Sequence, residues 1–436
     1  MKYDGASRRR FLKVTGGVTT LGLAGCLGFG GSGGANGSSN TIQYLSDRGD
    51  SKSIIDKIIA GFEEDHDYTV EVTYTSKGTS TNKQLQKMKA AGNLPDVVFD
   101  TAADAYRYQR NDNLAPITES VTKSGLPDPV QVDGESYFAV TMVEPLMGWY
   151  RNDLYGNNPT TWKNWQSAAK QVTQEHDIMG YVVQSGQTNN ADTQITQYHW
   201  QNDVNIYSGP SGDIKVTIDE GENRKRAIET YEWVKTMAKY APKANGWGWS
   251  ESIGALQQET AAAIMSVGGL PILTIMENRP DLVEKLSPTA FPVPQSKKQD
   301  KWWAYMEGHV VWKGGNATEG AKEFVQYFTE SDEFMQFVLS APLFQFPPTR
   351  EMLDSKAVRT NDVIQDHPAV MELVRNHWDS FSPILNTGTD GAPNIIAAEA
   401  YGRQLFGQSA GQLLVGGKSP EETVDWIANK LRSIQP

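Results

Sequence analysis

The chain has 436 residues, 39% of them hydrophobic and 10% aromatic, enough for two sizeable domains at roughly 100–200 residues each. Its 52 Asp and Glu outnumber 40 Lys and Arg, and the net charge of −12 argues against nucleic acid and anionic lipid as partners of the folded body. A single cysteine, Cys26, rules out an internal disulfide and any zinc or iron–sulfur centre built from cysteines.

Read from the start, Ser7-Arg8-Arg9-Arg10-Phe11-Leu12-Lys13 precedes the apolar segment Val14 to Ala24, the layout of an export signal, and the paired arginines point to the twin-arginine route. The apolar segment is shorter than the roughly 20 residues that span a bilayer, so residues 1–25 are expected to be cleaved. Leu23-Ala24-Gly25-Cys26 resembles a lipoprotein box, which makes Cys26 the expected lipid attachment point; stable anchoring then needs a double-chain lipid. Residues 26–40 are nearly all Gly, Ser and Asn and read as a flexible tether. The patterns G-x-G-x-x-G (Gly28–Gly33) and G-x-S-x-G (Gly30–Gly34) overlap there, but neither follows a strand or opens a helix, so both are accidents of composition. Lys2, Arg8, Arg9, Arg10 and Lys13 against Asp4 give the leader +4, which leaves −16 on the exported body. Such acidity with a twin-arginine signal suggests an extreme halophile. Asn36 and Asn316 stand in possible glycosylation triplets.

The folded part opens with alternating types. TIQYL from Thr41 reads as a strand, and Ile54, Ile55, Ile58, Ile59 and Phe62 recur at helical spacing. Val70, Val72 and Tyr74 alternate as a strand, Leu85 and Met88 mark a helical face, and PDVVF is a short buried strand. This order predicts a doubly wound α/β lobe whose ligand lies beyond the carboxyl ends of the strands. The loops Ser46–Gly49, Ser76–Thr79 and Asp100–Asp104 lie at those ends, so Asp47, Arg48, Thr79 and Asp100 become candidate ligand contacts. Further on, PTTWKNW starts a helix, IKVTI reads as a strand, and Ala227 to Tyr240 is an amphipathic helix. Ser419-Pro420-Glu421-Glu422 forms a capping box for the last helix, buried along Val424, Ile427 and Leu431.

Enzyme signatures are scarce. The six histidines are scattered with no H-E-x-x-H, and Walker and calcium loops are absent, so no metal, cofactor or catalytic residue is expected. Paired carboxyls of a glycoside hydrolase are spatial and stay open as an alternative. The 12 tryptophans carry more. Trp247 and Trp249 flank Gly248, and Trp302 and Trp303 are adjacent; neighbours on a helix or strand do not share one face, so one of each pair is expected outside the core. A cleft tryptophan beside polar groups stacks on a sugar ring while the polar groups take hydroxyls. Trp247, Trp249, Trp303 and Trp200 are the candidates, whereas Trp162, Trp165, Trp233 and Trp426 are expected to fill core.

The ordered segments IIDKIIAGFEEDHDYTVEVTY, LQKMKAAGNLPDVVF, EPLMGWYRNDLY, ETAAAIM, AFPVPQ, NATEGAKEFVQYFTESDEF and APNIIAAEAYGRQL resemble the extracellular solute-binding proteins of ABC importers, the family that includes bacterial maltose-binding protein. The likeness runs from about Ile42 to Leu431. It implies an α/β, type II two-lobed fold, each lobe a doubly wound sheet, with residues 41–143 plus 295–339 in one lobe, 144–294 plus 340–436 in the other, and hinge strands between. It also implies capture of a carbohydrate by lobe closure and delivery to membrane permease subunits, without chemistry, by a monomer; the lipid expected on Cys26 suits that task by holding the body on the extracellular face. A non-sugar solute such as glycerol phosphate or a polyamine is the alternative ligand.

By the same resemblance, Asp47 and Arg48 fall where maltose-binding protein has an acidic and a basic sugar contact, and Glu144, six residues before Tyr150, where it has a hydroxyl-accepting glutamate. Asp100, Gly268 and Gly402 stand where it has tryptophans, which implies walls rebuilt from other loops. Glu307, with Gly308, matches a loop lining the cleft, and Arg350 follows a PPTR turn that points inward in the family.

Overall fold

The structure is a computed structural model, and it is described for residues 40–75, 81–210, 212–241, 244–295, 301–385 and 392–434. The leader, Cys26, the tether up to residue 39 and Thr79 lie outside the described residues. The strands Thr41–Ser46, Thr69–Tyr74 and Val97–Thr101 are parallel, the first lying between the other two. Parallel neighbours need crossover helices. Lys52–Asp65 supplies one, burying Ile55, Ile58, Ile59 and Phe62 at the spacing of one helical face, and Thr81–Ala90 supplies the next.

Two long strands carry the sheet onward. Ala139–Arg151, buried along its whole length, pairs antiparallel with Trp302–Trp312, which pairs in turn with Val97–Thr101. The far half of Ala139–Arg151 pairs instead with Ala263–Val267 and Leu286–Thr289. At about 3.3 Å per residue this strand runs roughly 40 Å, long enough to belong to two lobes. Pro145 stands near its middle, opposite Ala304. A proline removes one ladder donor, a loss unusual in a central strand, and here it falls where the strand passes from one half of the sheet to the other. A third crossing is made by Phe346, whose amide and carbonyl both bond Val143.

The apolar side chains form two clusters. One joins residues of 42–142 to Val311, Phe324, Phe328 and Phe337, and the larger gathers residues from the whole described chain, Leu45, Val98 and Tyr106 included, around Trp149, Trp165, Tyr181 and Tyr231. The last helix, Pro420–Arg432, has the capping box and buries Val424, Ile427 and Leu431. IKVTI contributes only the short strand Lys215–Val216, in a hairpin with Tyr207–Ser208. Among the described residues no helix is long and apolar enough to cross a membrane.

Candidate functional site

A cleft of about 570 Å³ opens where the two long strands meet the carboxyl ends of the parallel strands. Asp47, Asp100, Asp104, Glu144, Glu307 and Trp249 line it, with Tyr305, Phe344, Tyr401 and Arg107. Two of the carboxyls follow from strand ends, Asp47 just after Thr41–Ser46 and Asp100 one residue before the end of Val97–Thr101; Asp104 lies in the first turn of helix Ala102–Arg110, and Glu144 is in mid-strand, just before Pro145.

Asp100 accepts from the Thr101 amide and from the Tyr108 hydroxyl, both at 2.8 Å. Burial, and then Asp104, push its carboxyl well above the usual range. Thr101 caps the helix by accepting from the Asp104 amide. Arg107 bonds Asp104 at 2.7 Å and Glu399 at 2.9 Å, tying helix Ala102–Arg110 to helix Ile395–Gly402 across the cleft wall.

On the floor, Glu144 and Glu307 share a face of the sheet, since Tyr305 pairs with Glu144 and Glu307 lies two residues on. Glu144 accepts from the Gln345 side-chain amide at 3.1 Å, and Gln345 accepts from Arg48 at 3.0 Å. Arg48 lies behind this floor, 6% exposed, near Asp50 at 3.4 Å and Glu307 at 3.8 Å. Burial and the Glu307 charge raise Glu144 well above its ordinary pKa. Burial and the Asp47 charge push Glu307 up to about 7 against the pull of Arg48.

Behind the opposite wall runs a polar helix, Asn189–Gln201, whose side chains are nearly all buried. Asp192 accepts from the Phe406 and Gly407 amides, capping the helix that begins at Leu405, and burial pushes its carboxyl up to about 8. That cap holds Tyr401, Gly402 and Gln404 at the cleft edge. Tyr305 and Tyr401 stand 6.3 Å apart.

The tryptophans divide. Trp249, first residue of the helix Trp249–Gln257, is half-buried and lines the cleft. Trp247 is half-buried against the core and is not among the lining residues. Trp303 and Trp200, expected in the walls, are 1% and 3% exposed and stack on each other in the core at 5.7 Å. The reason is the strand itself. Trp302–Trp312 is a central strand, covered on both faces at its start, so adjacent tryptophans bury on opposite sides there. Trp303 instead backs Tyr305 and Tyr401, at 5.9 and 5.7 Å.

Three other expectations are corrected or redefined. Gly268 has φ +43°, and a Cβ there would meet the Leu343 and Phe344 carbonyls at 2.6 and 2.7 Å, so the position is filled by backbone and has no room for a wall residue. Arg350 is exposed and pairs with Asp379 away from the cleft. Arg48 supports the floor without lining it. Tyr305, Tyr401, Phe344 and Arg107 escaped the sequence reading, although Trp303, Tyr305 and Glu307 share a strand face by the period of two, which leads from a core ring to the cleft. Among the described residues no group of three or more His, Cys, Asp or Glu could hold a metal ion.

The sequence profile described as "Bacterial extracellular solute-binding protein" matches residues 46–333. A protein of Escherichia coli K12 named as an ABC transporter periplasmic-binding protein, YcjN, is 22% identical over 334 residues, 72% of this chain and 74% of its own. Among solved structures, the GacH receptor of Streptomyces glaucescens, studied unliganded and with acarbose, superimposes with a TM-score of 0.70 at 16% identity, over 91% of this chain and 99% of its own. Maltose-bound MalE3 of T. maritima gives 0.69 at 16% identity, over 90% and 99%. A sugar transporter of Arthrobacter chlorophenolicus with bound laminaribiose gives 0.73 at 14%, over 91% and 100%. At these identities the likeness establishes the fold, α/β and two-lobed with hinge strands between. With two thirds of its length matched by the profile, the chain belongs to the bacterial extracellular solute-binding proteins.

Proposed function

We propose that this chain captures a carbohydrate in the cleft by closure of its lobes, and passes it unchanged to the permease subunits of an ABC importer. The observation that carries this reading is the pairing, in one cleft, of flat rings from Trp249, Tyr305 and Tyr401 with the acceptor carboxyls of Asp47, Asp100 and Glu144. Rings cover the apolar faces of a sugar, and carboxyls accept from its hydroxyls. The volume of about 570 Å³ lies within the roughly 300–1,000 Å³ of small-molecule sites. That the fold's neighbours hold acarbose, maltose and laminaribiose supports the same class. Lobe boundaries near residues 143, 295 and 339, export by the twin-arginine route and a lipid on Cys26 complete the reading, with the tether letting a monomeric body reach the permease from the outer face of the membrane.

A thermal-shift screen of the full chain against mono- and oligosaccharides tests it. A sugar at about 100 times its Kd adds roughly 2.7 kcal/mol. For roughly 400 residues that raises Tm by about 3 °C. A sugar that does so and is recovered intact supports capture; a sugar recovered cleaved, or no shift with any, contradicts it.

A further inference from the structure

Among the described residues the charges of the cleft do not balance: Asp47, Asp100, Asp104, Glu144 and Glu307 line it against one guanidinium, Arg107. That guanidinium is already divided between Asp104 and Glu399. Arg48, behind the floor, is divided between Asp50 and Glu307. Asp100 is held by neutral donors, the Thr101 amide and the Tyr108 hydroxyl. Glu144, 4% exposed, has only the Gln345 amide on one oxygen, and the residue opens on the cleft.

The ladder register makes Glu144 and Glu307 diagonal neighbours on one face, a spacing of roughly 7–8 Å between backbones. Two carboxyls so placed and partly shut off from water repel each other. Hydroxyls of a neutral ligand satisfy their lone pairs but add no opposing charge, so the pair relieves the repulsion by holding a proton, as the raised Glu144 carboxyl does. A cation between them removes the repulsion and makes a charge-assisted bond to each. The rings provide a separate argument. Trp249, Tyr305, Phe344 and Tyr401 put four aromatic side chains in the lining, which suits a ring-shaped ligand better than a flexible polyamine chain, and an aromatic face also attracts a cation.

Resting on the carbohydrate reading, we propose that the preferred ligand is a cationic sugar, a saccharide with a free amino group, whose ammonium lies between Glu144 and Glu307 while its ring stacks on the aromatic wall.

Calorimetric titration of the full chain compares glucosamine, galactosamine and the β-1,4 disaccharide of glucosamine with their neutral twins glucose, galactose and cellobiose, and with spermidine. The proposal expects at least one amino sugar to bind about tenfold or more tighter than its twin. It also expects Glu307→Gln and, independently, Glu144→Gln to narrow that ratio below about threefold, with folding verified by circular dichroism. Neutral twins binding as tightly as the amines, or ratios untouched by both variants, overturn the proposal and leave the carbohydrate reading standing. Spermidine binding with all six sugars inert overturns both; inertness of all seven compounds overturns the proposal and leaves the carbohydrate reading to the wider saccharide screen.

Discussion

Replacing Glu307 by Gln gives a pH-dependent change in stability whose sign follows from the cleft. Glu307 has a side chain 21% exposed, and burial with the Asp47 charge pushes its carboxyl up to about 7. In the unfolded chain a glutamate titrates near 4.3. The folded state therefore binds the proton more tightly, so no stability is lost below about pH 4 and a growing amount is lost as pH rises toward 7. At 1.36 kcal/mol per unit of pKa shift the full loss is about 4 kcal/mol. For roughly 400 residues this corresponds to about 4 °C in Tm. Asp50 and Arg48 also face this carboxyl, and Glu144 feels its charge, so the titration is shared among them. Scanning calorimetry of the ligand-free chain and of Glu307→Gln, from about pH 5 to about pH 8, reads the difference. The variant is expected to gain on the native chain by about 3 °C across that range, the first part of the loss lying below about pH 5. A difference that stays constant with pH would show that Glu307 is solvated and that the floor is not the desolvated acidic surface described.

Gly308 packs so closely on the neighbouring strand that a Cβ would lie 2.0 Å from the Ala139 carbonyl; Gly308→Ala should cost about 3 kcal/mol in chemical denaturation, and a native midpoint would contradict this contact. Trp303→Ala removes a core ring and should destabilise by about 3–5 kcal/mol, with any effect on sugar affinity arising through Tyr305 and Tyr401; an unchanged Tm would put Trp303 back in the cleft. Asp192→Ala leaves the Phe406 and Gly407 amides without their acceptor and should cost about 1–3 kcal/mol. Hydrogen exchange should then quicken at the start of helix Leu405–Leu414, and unchanged protection there would refute the capping role.

The parallel start of the sheet was legible because local periodicity and burial agree there: Ile55, Ile58, Ile59 and Phe62 lie on one helical face, and the strands at 41, 69 and 97 carry the residues that alternation marked. The long strands were not, because a strand covered on both faces has no alternation to read, and Ala139–Arg151 is buried at every position. The same effect hid the site. Adjacent Trp302 and Trp303 satisfied a rule for half-exposed elements and both went inside, while Tyr305 and Tyr401, each in an unremarked strand or helix, came to the cleft by tertiary placement. The acidic residues at strand ends, Asp47 and Asp100, were accessible to reasoning from topology alone, since parallel strands leave their carboxyl ends on one edge. Arg107 and Glu399 stand nearly three hundred residues apart in sequence, and nothing local relates them.

The most direct test of capture is a calorimetric titration of the native chain and of Trp249→Ala with whichever saccharide shifts its melting, followed by chromatography of the recovered ligand. Capture in the cleft requires one site, binding about tenfold or more weaker in the variant, and a ligand returned intact. Equal affinity in the two proteins, or a ligand returned cleaved, would contradict it.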